Sequence, residues 1–487
     1  MKWALYNLLF AAVYPFLLPG FLLRMLRRGG YAARMGDRFA LYPEGLFGKD
    51  RPLFNSRATV PGASSRRGAG RSLSTPATRG RVGYGEFVWI HAVSVGEVQV
   101  AGQLMREWRK VEPTVRFCFS TTSSTGWKIA EKELASLTSS TSSTSSTSQD
   151  VLIYNPLDFP NFVKSALRTV RPRAIVLTES EIWPNFILQA KKMGIPLFLI
   201  NARVSDRSAP RYKAAKWFFG EVFSCFTRIF AQSDLDKARL VAAGAPEDKV
   251  EVTGSFKFDV ARRNEAKEKE LREWISIFDL RGLGAHAPKI LLGGSTWPGE
   301  DEVLLKIYRG ILESSGAPGG RALPLLVIAP RHFEKADAVE ANIRKYGFDC
   351  IRRSRAGNQQ PTTNNQQPPV YLADTTGELM GLYGIADVVF VGKSLCAHGS
   401  QNMIEPCLCG KPTLVGPYTE NFRPVMSDLL ASDAIIQVKD AEELEEKVRE
   451  CLGGLGSLEG LGARAKAAVE KRLGVVAKCV EEIRGVL

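Results

Sequence analysis

FVWIHAVSVGE, residues 87–97, holds the pattern from which the architecture follows. A strand-length apolar run passes directly into small residues, then into a helical stretch opened by Glu97. The succession recurs downstream. VRFCFS (115–120) precedes TTSSTG, AIVLT (174–178) precedes ESEIWPN, and LFLIN (197–201) precedes ARVSDRS. RIFAQS (228–233) leads into another helix, and VEVTG (250–254) closes the series. It restarts with KILLGG (289–294), PLLVIAP (324–330), DVVFVG (387–392) and PTLVG (412–416). Strand–loop–helix alternation means parallel sheets. Two such series predict an α/β chain of two Rossmann-like domains, 86–260 and 289–487, facing a cleft and joined by 261–288. The closing helices, 441–450 and 461–487, are expected to pack back across the boundary. Ligands bind beyond the carboxyl ends of parallel strands, so the loops between the runs should hold the chemistry.

The chain has 487 residues, too many for one ordinary core. Hydrophobic residues at 45% and charged residues at 24% are the balance of a folded globular protein. A formal net charge of +14 would be explained by nucleic acid, an anionic membrane or a phosphorylated substrate. Eight cysteines are scattered, and only Cys407 and Cys409 stand close together. No second pair completes a zinc-type spacing, so they read as reduced thiols or buried small hydrophobes. The only histidines, His91, His286, His332 and His398, argue against a multi-histidine metal centre.

Trp3 to Leu23 contains no charged residue and has about the length a bilayer-crossing helix needs. Arg24, Arg27, Arg28, Arg34 and Arg38 follow, opposed only by Asp37. The positive-inside rule then places the body of the protein in the cytoplasm. Residues 1–50 read as a membrane anchor with a basic juxtamembrane segment. Pro15 and Pro19 are expected to interrupt the helix, which leaves both a span and a monotopic insertion open. An apolar helix packed on its own protein is the plainer alternative. Residues 51–85, rich in Arg, Ser, Gly and Pro, read as a flexible linker. The polar tracts 137–149 and 354–369 read as loop insertions that cannot bury a core.

Among the loops, Glu97 stands at a helix start, where a carboxylate accepts a hydroxyl proton or complements the helix dipole. Glu179-Ser180-Glu181-Ile182-Trp183-Pro184-Asn185 puts two acids at a strand end, where they repel unless solvated, paired or bonded to substrate. Lys257, between Phe256 and Phe258, suits an anionic donor or leaving group. Arg331, after Pro330, suits bidentate phosphate binding. Gly377-Glu378-Leu379 opens a helix. Gly392-Lys393-Ser394 and 399–406 (GSQNMIEP) flank a loop whose N–H groups at a helix start would bind phosphate. Glu405 there could hold the hydroxyls of a ribose. Ordinary turn and capping chemistry is the alternative for each. A Walker-type phosphate loop is excluded, because the upstream glycine is missing.

HAVSVGE, TTSSTG, ESEIWPN, NARVSDRS, VTGSFKFD, STWPGE, PRH, GELMGLYGIADVVFVG, QNMIEP and GPYTENF follow one another from 91 to 422. This ordered series resembles the 3-deoxy-D-manno-oct-2-ulosonic acid (Kdo) transferases of lipopolysaccharide synthesis. The resemblance implies a GT-B fold, with CMP-Kdo as donor and a lipid A precursor, lipid IVA, as acceptor. It implies inversion at the anomeric carbon with no metal or other cofactor, at the cytoplasmic face of the inner membrane. The partners it implies are the donor, the bilayer-held acceptor and an anionic membrane surface, with no nucleic acid. Carried over by position, Glu97 is the general base, and Glu179 and Lys257 support the transition state. Pro330, Arg331, Thr376, Gly377, Glu378, Asn402, Met403, Ile404 and Glu405 match the CMP-binding segments. The sequence departs from the family where a double glycine is Gly392-Lys393 and where Gly-Gly-His-Asn is Gly399-Ser400-Gln401-Asn402. Ser400 is poorly tolerated if that position needs positive φ. Two other readings stay open: a GT-B transferase using a different nucleotide sugar, and a non-catalytic membrane protein that binds nucleotides or anionic lipids.

Overall fold

Alternating apolar residues of the first strand point to opposite sides, and both sides are buried. In the computed structural model Phe87 and Trp89 lie in one core cluster, and Val88 and Ile90 in another. Such a strand needs helices on both faces. The structure describes residues 2–28, 32–47, 85–139, 150–260, 265–276, 288–314, 323–355, 368–453, 458 and 460–487. Most of the expected linker (51–84) and of the two polar tracts (140–149 and 356–367) lies outside the described residues.

The chain divides into two units, Met1–Phe256 with Gly474–Leu487, and Lys257–Leu473. In the first unit the strands are β1 (Phe87–His91), β2 (Arg116–Thr121), β3 (Val151–Tyr154), β4 (Ala174–Thr178), β5 (Leu197–Ala202), β6 (Arg228–Ala231) and β7 (Val250–Val252). They form one parallel sheet in the order β3-β2-β1-β4-β5-β6-β7. Its helices are α1 (Lys2–Arg28), α2 (Val95–Val111), α3 (Ser124–Ser139), α4 (Pro160–Val170), α5 (Pro184–Lys192), α6 (Ala209–Ala214), α7 (Lys216–Ser224) and α8 (Asp234–Ala242).

The second unit holds α9 (Glu265–Ser276), α10 (Glu300–Ser314), α11 (Ala336–Lys345), α12 (Leu379–Ile385), α13 (Ile404–Leu408), α14 (Arg423–Ala431), α15 (Ala441–Gly453) and α16 (Leu461–Glu470). Its strands are β8 (Ile290–Thr296), β9 (Leu325–Pro330), β10 (Cys350–Arg352), β11 (Val370–Leu372), β12 (Val388–Val391), β13 (Thr413–Val415) and β14 (Ile436–Gln437). The order is β10-β11-β9-β8-β12-β13-β14, again parallel. The order reverses between β1 and β4 in one sheet and between β8 and β12 in the other, and such switch points open a crevice at the strand ends.

One boundary differs from expectation, and the expected return of the closing stretch 461–487 is seen in its last helix. The segment 261–288 contains α9, whose Leu271, Trp274 and Ile275 are buried in the core of the second unit. The last helix, α17 (Val475–Arg484), belongs to the first unit. There Val475, Val476, Cys479, Val480 and Ile483 pack with Val88, Ile90 and α2. Burying one such side chain contributes about 1.5–3 kcal/mol, enough to draw the chain terminus back.

Helix α1 runs unbroken through Pro15 and Pro19, so the expected interruption does not occur. Among the described residues no helix is long and apolar enough to cross a membrane. One face of α1 packs on the first unit. Trp3 and Tyr6 meet Phe218 with ring centroids 5.4 and 5.5 Å apart, and Phe10 meets Phe159 at 5.0 Å. The Tyr6 hydroxyl donates to Asp158 Oδ2 at 2.9 Å. Asp158 also accepts from the backbone N–H groups of Asn185 and Phe186, at 3.0 and 2.8 Å. It thereby caps α5, whose own N-cap residue, Trp183, has no capping side chain.

Burial pushes the Asp158 carboxyl up to about 7, against the lowering effect of those three hydrogen bonds. The folded state therefore holds a proton that the unfolded chain has already lost. That contribution to stability is complete below about pH 4 and fades as pH rises through about 7. We predict that Asp158→Asn flattens the fall in stability between those limits, read from denaturant midpoints across a pH series. An unaltered pH slope would refute the assignment.

Candidate active site at the strand ends

Glu97 and Glu179 follow β1 and β4, the two strands that meet at the first switch point. Ser94 caps α2, and Glu97 completes a capping box with it. Glu97 Oε2 accepts from the N–H of Val93 at 2.9 Å and of Ser94 at 3.4 Å, with Thr178 Oγ1 at 3.5 Å. Oε1 accepts from the Ser94 hydroxyl at 2.9 Å. The helix-start reading of Glu97 is thus correct as structure. Among the described residues it leaves Oε1 engaged only by a rotatable hydroxyl, and the residue is 8% exposed.

Glu179 has φ +50°. Its Oε2 accepts from Arg203 Nε at 2.8 Å and its Oε1 from Asn201 Nδ2 at 3.3 Å. Glu181 accepts from Trp183 Nε1 at 2.9 Å and lies 3.7 Å from His91 Nε2. Each of the two acids has its own partners, which relieves the repulsion expected of the pair. His91 is buried, with Nδ1 2.9 Å from Ser120 Oγ. Among the described residues its Nε2 has no hydrogen-bond partner. Arg203 and Asn201 went unremarked as individual residues, and His91 was noted only as one of four histidines. Their only signal was their place at strand ends inside NARVSDRS and HAVSVGE.

At the second switch point the loop that starts at 392–394 shows the turn and capping chemistry given as its alternative reading. The N–H groups of Lys393, Ser394, Leu395 and Cys396 donate to the Glu300 carboxylate at 2.8–3.3 Å, and that of Trp297 joins them at 2.8 Å. These groups form an anion nest, and its anion is internal. Glu300 is fully buried, so the nest has no vacancy for a phosphate. The residues between Lys393 and Met403 form no helix, and α13 begins only at Ile404.

Arg331 is exposed beyond β9, and its charge acts on Glu405. Asn402 Nδ2 donates to Glu405 Oε1 at 2.9 Å. Burial pushes the Glu405 carboxyl above its usual range, while Asn402 and Arg331 hold it back. Met403 and Ile404 are buried in the core, so only their backbone could face a ligand. Thr376 is exposed and Gly377 has φ +83°. Glu378 is occupied: burial pushes its carboxyl up, but Arg353, Thr375 and Lys267 bring it below the usual carboxylate range. Lys257 Nζ lies 4.4 Å from the Phe422 ring centre and 3.3 Å from the Asn421 carbonyl. Among the described residues no group of three or more His, Cys, Asp and Glu is placed to hold a metal ion.

A family profile described as 3-deoxy-D-manno-octulosonic-acid transferase (kdotransferase) matches residues 34–260. A 3-deoxy-D-manno-octulosonic acid transferase of Haemophilus influenzae is 32% identical over 398 residues, 82% of this chain and 86% of that one. Another, of Bordetella pertussis, is 32% identical over 429 residues, 86% of this chain and 93% of that one. The chain belongs to the Kdo transferase family. It is therefore a glycosyltransferase. A glycosyltransferase of Rickettsia africae, 13% identical, superposes with a TM-score of 0.51 over 82% of this chain and 97% of that one. That likeness concerns fold alone, and with two parallel-sheet α/β units it is consistent with a GT-B-like fold.

Against the Kdo transferase pattern the altered loop positions now have a geometry. Lys393 has φ +58° and Ser400 φ +60°. Both occupy the left-handed region, where a side chain costs roughly 1–2 kcal/mol. We expect Ser400→Gly to raise stability by about 1 kcal/mol in chemical denaturation. No gain would mean that the bond from Ser400 Oγ to the Gln401 carbonyl, 3.0 Å, offsets the strain. Glu300→Ala should act in the opposite direction. It strands several buried N–H groups at about 1–3 kcal/mol each. Thermal unfolding should then fall by roughly 5–10 °C, and an unchanged melting temperature would show the nest to be dispensable.

Proposed function

We propose that the chain moves Kdo from CMP-Kdo to a hydroxyl of a lipid A precursor, lipid IVA, in lipopolysaccharide biosynthesis. Configuration at the anomeric carbon is inverted, and no metal ion is needed. Glu97 takes the proton of the acceptor hydroxyl while its oxygen bonds to the anomeric carbon of Kdo. The bond from that carbon to the CMP phosphate breaks, and CMP departs with the electron pair. Glu179, with Arg203 and Asn201, stabilises charge in the transition state, and Lys257 and Arg331 stabilise the departing phosphate. Asn402 and Glu405 receive the ribose, and Pro330 and 376–378 complete the donor surface. The observation that carries this reading is Glu97 at the switch point of a Kdo transferase sheet, with Oε1 met, among the described residues, only by a hydroxyl.

The acceptor's place in the bilayer calls for an enzyme at the membrane surface. The face of α1 turned away from the protein exposes Leu5, Leu8, Leu9, Val13 and Phe16 at helical spacing. Beside its first turn, where Lys2 Nζ bonds the Trp217 carbonyl at 2.9 Å, α6 and α7 expose Arg211, Lys213, Lys216 and Trp217. An apolar stripe next to basic residues supports a monotopic anchor on anionic lipid at the cytoplasmic face of the inner membrane.

The deciding experiment incubates purified full-length protein with CMP-Kdo and lipid IVA in detergent, with and without EDTA, and reads the lipid product by mass spectrometry. Kdo-bearing lipid should form at equal rates in both. Glu97→Gln should lower kcat by about 100-fold or more, as loss of a general base does. No Kdo-bearing lipid, or a fully active Glu97→Gln enzyme, would sink the mechanism. Loss with EDTA and recovery with Mg²⁺ would sink its metal-free part.

A further inference from the structure

The acidic loop after β4 is held at both ends. Its first residue, Glu179, leaves the buried strand β4, and its last part, Trp183 and Pro184, runs into α5. A loop of this length has little freedom once the start of α5 is fixed, so whatever fixes α5 sets the place of Glu179 and Glu181. Three groups converge there from elsewhere in the chain. Asp158 accepts the N–H groups of Asn185 and Phe186. The Asn185 side-chain amide donates to the Asp158 carbonyl at 2.5 Å and to Asn7 Oδ1 at 2.7 Å. Tyr6 donates to Asp158 Oδ2 at 2.9 Å. Asn185 and Asp158 are 1% and 1% exposed, so water does not readily replace these bonds.

Tyr6 and Asn7 both belong to α1, the helix whose opposite face carries the exposed apolar stripe. We infer that Tyr6 and Asn7 are positioning residues for the loop 179–183, so that α1 forms part of the foundation of the reacting site as well as its attachment. They touch no reacting atom. They act through Asp158 and Asn185 on the start of α5, and through α5 on Glu179. The inference rests on the proposed role of Glu179 in sugar transfer.

The test uses the full-length enzyme with CMP-Kdo and lipid IVA in vesicles of anionic phospholipid. It compares wild type with Tyr6→Phe, Asn7→Ala, their combination, Asn7→Asp and Glu179→Gln. Tyr6→Phe keeps the ring on Phe218 and removes only the hydroxyl, and Asn7→Asp keeps an acceptor for the Asn185 amide. The double variant should lose about tenfold in kcat, with KM for CMP-Kdo and the vesicle-bound fraction changed by less than about twofold. Asn7→Asp should recover most of the loss seen in Asn7→Ala. Unchanged kcat in the double variant overturns the inference. So does a fall in kcat that tracks loss of vesicle binding, because attachment alone then explains it. If the double variant does not fold, Tyr6→Phe alone decides by the same readings. An inactive Glu179→Gln beside a normal double variant rejects only the inference, whereas a fully active Glu179→Gln rejects the role of Glu179 itself.

Discussion

Parallel strands end in loops and helix starts whose N–H groups have no strand or helix carbonyl to pair with. In this chain buried acids take them. Glu97 accepts from Val93 and Ser94, Asp158 from Asn185 and Phe186, and Asp236 from Val204 at 2.9 Å. Glu300 accepts from Trp297 and from all of 393–396. Asp158, Asp236 and Glu300 each join segments distant in sequence, so strand-end loops are shaped before any substrate arrives. The same bonds remove N–H groups from those a nucleotide could use.

Continuous burial is legible in a sequence, whereas a bond between distant segments is not. Strands such as 87–91 and 325–330 are legible because burial on both faces makes them continuous apolar runs. β3, β10 and β11 went unread. Each is only three or four residues long and borders a polar tract, so local composition hides it. The return of the closing stretch was expected as a whole, but which of its helices crosses depends on which core an apolar face completes, and periodicity does not say that. Glu97 and Glu179 stood out as acids directly after strands. Glu300 and Asp158 did not, because a buried acceptor is defined by donors up to 96 residues away, as from Glu300 to Cys396.

Strained backbone gathers in the same places. Glu179, Asn201, Ser295, Lys393 and Ser400 all have φ between +50° and +60°. Each lies at or just beyond the carboxyl end of a strand, or in the loop that follows one. A residue held there needs surroundings that over-determine it. Asn201 shows how: its side chain donates to Glu179 and accepts from the N–H of Phe256 at 3.1 Å, while its carbonyl accepts from Gln232 at 2.9 Å. The strain at Asn201 and the placement of Glu179 are therefore one arrangement.

The two acids of the first switch point differ in the charge of their partners. Glu97 is met by backbone N–H groups and hydroxyls, all neutral. Accepting a proton on Oε1 would break no ion pair, and the Ser94 hydroxyl could turn from donor to acceptor as the proton arrives. Glu179 is bonded to the Arg203 guanidinium. Protonating it would leave that cation without its counter-ion, which costs more than losing a neutral hydrogen bond. A carboxylate that is costly to neutralise is suited to a fixed charge, and one surrounded by neutral donors to proton transfer.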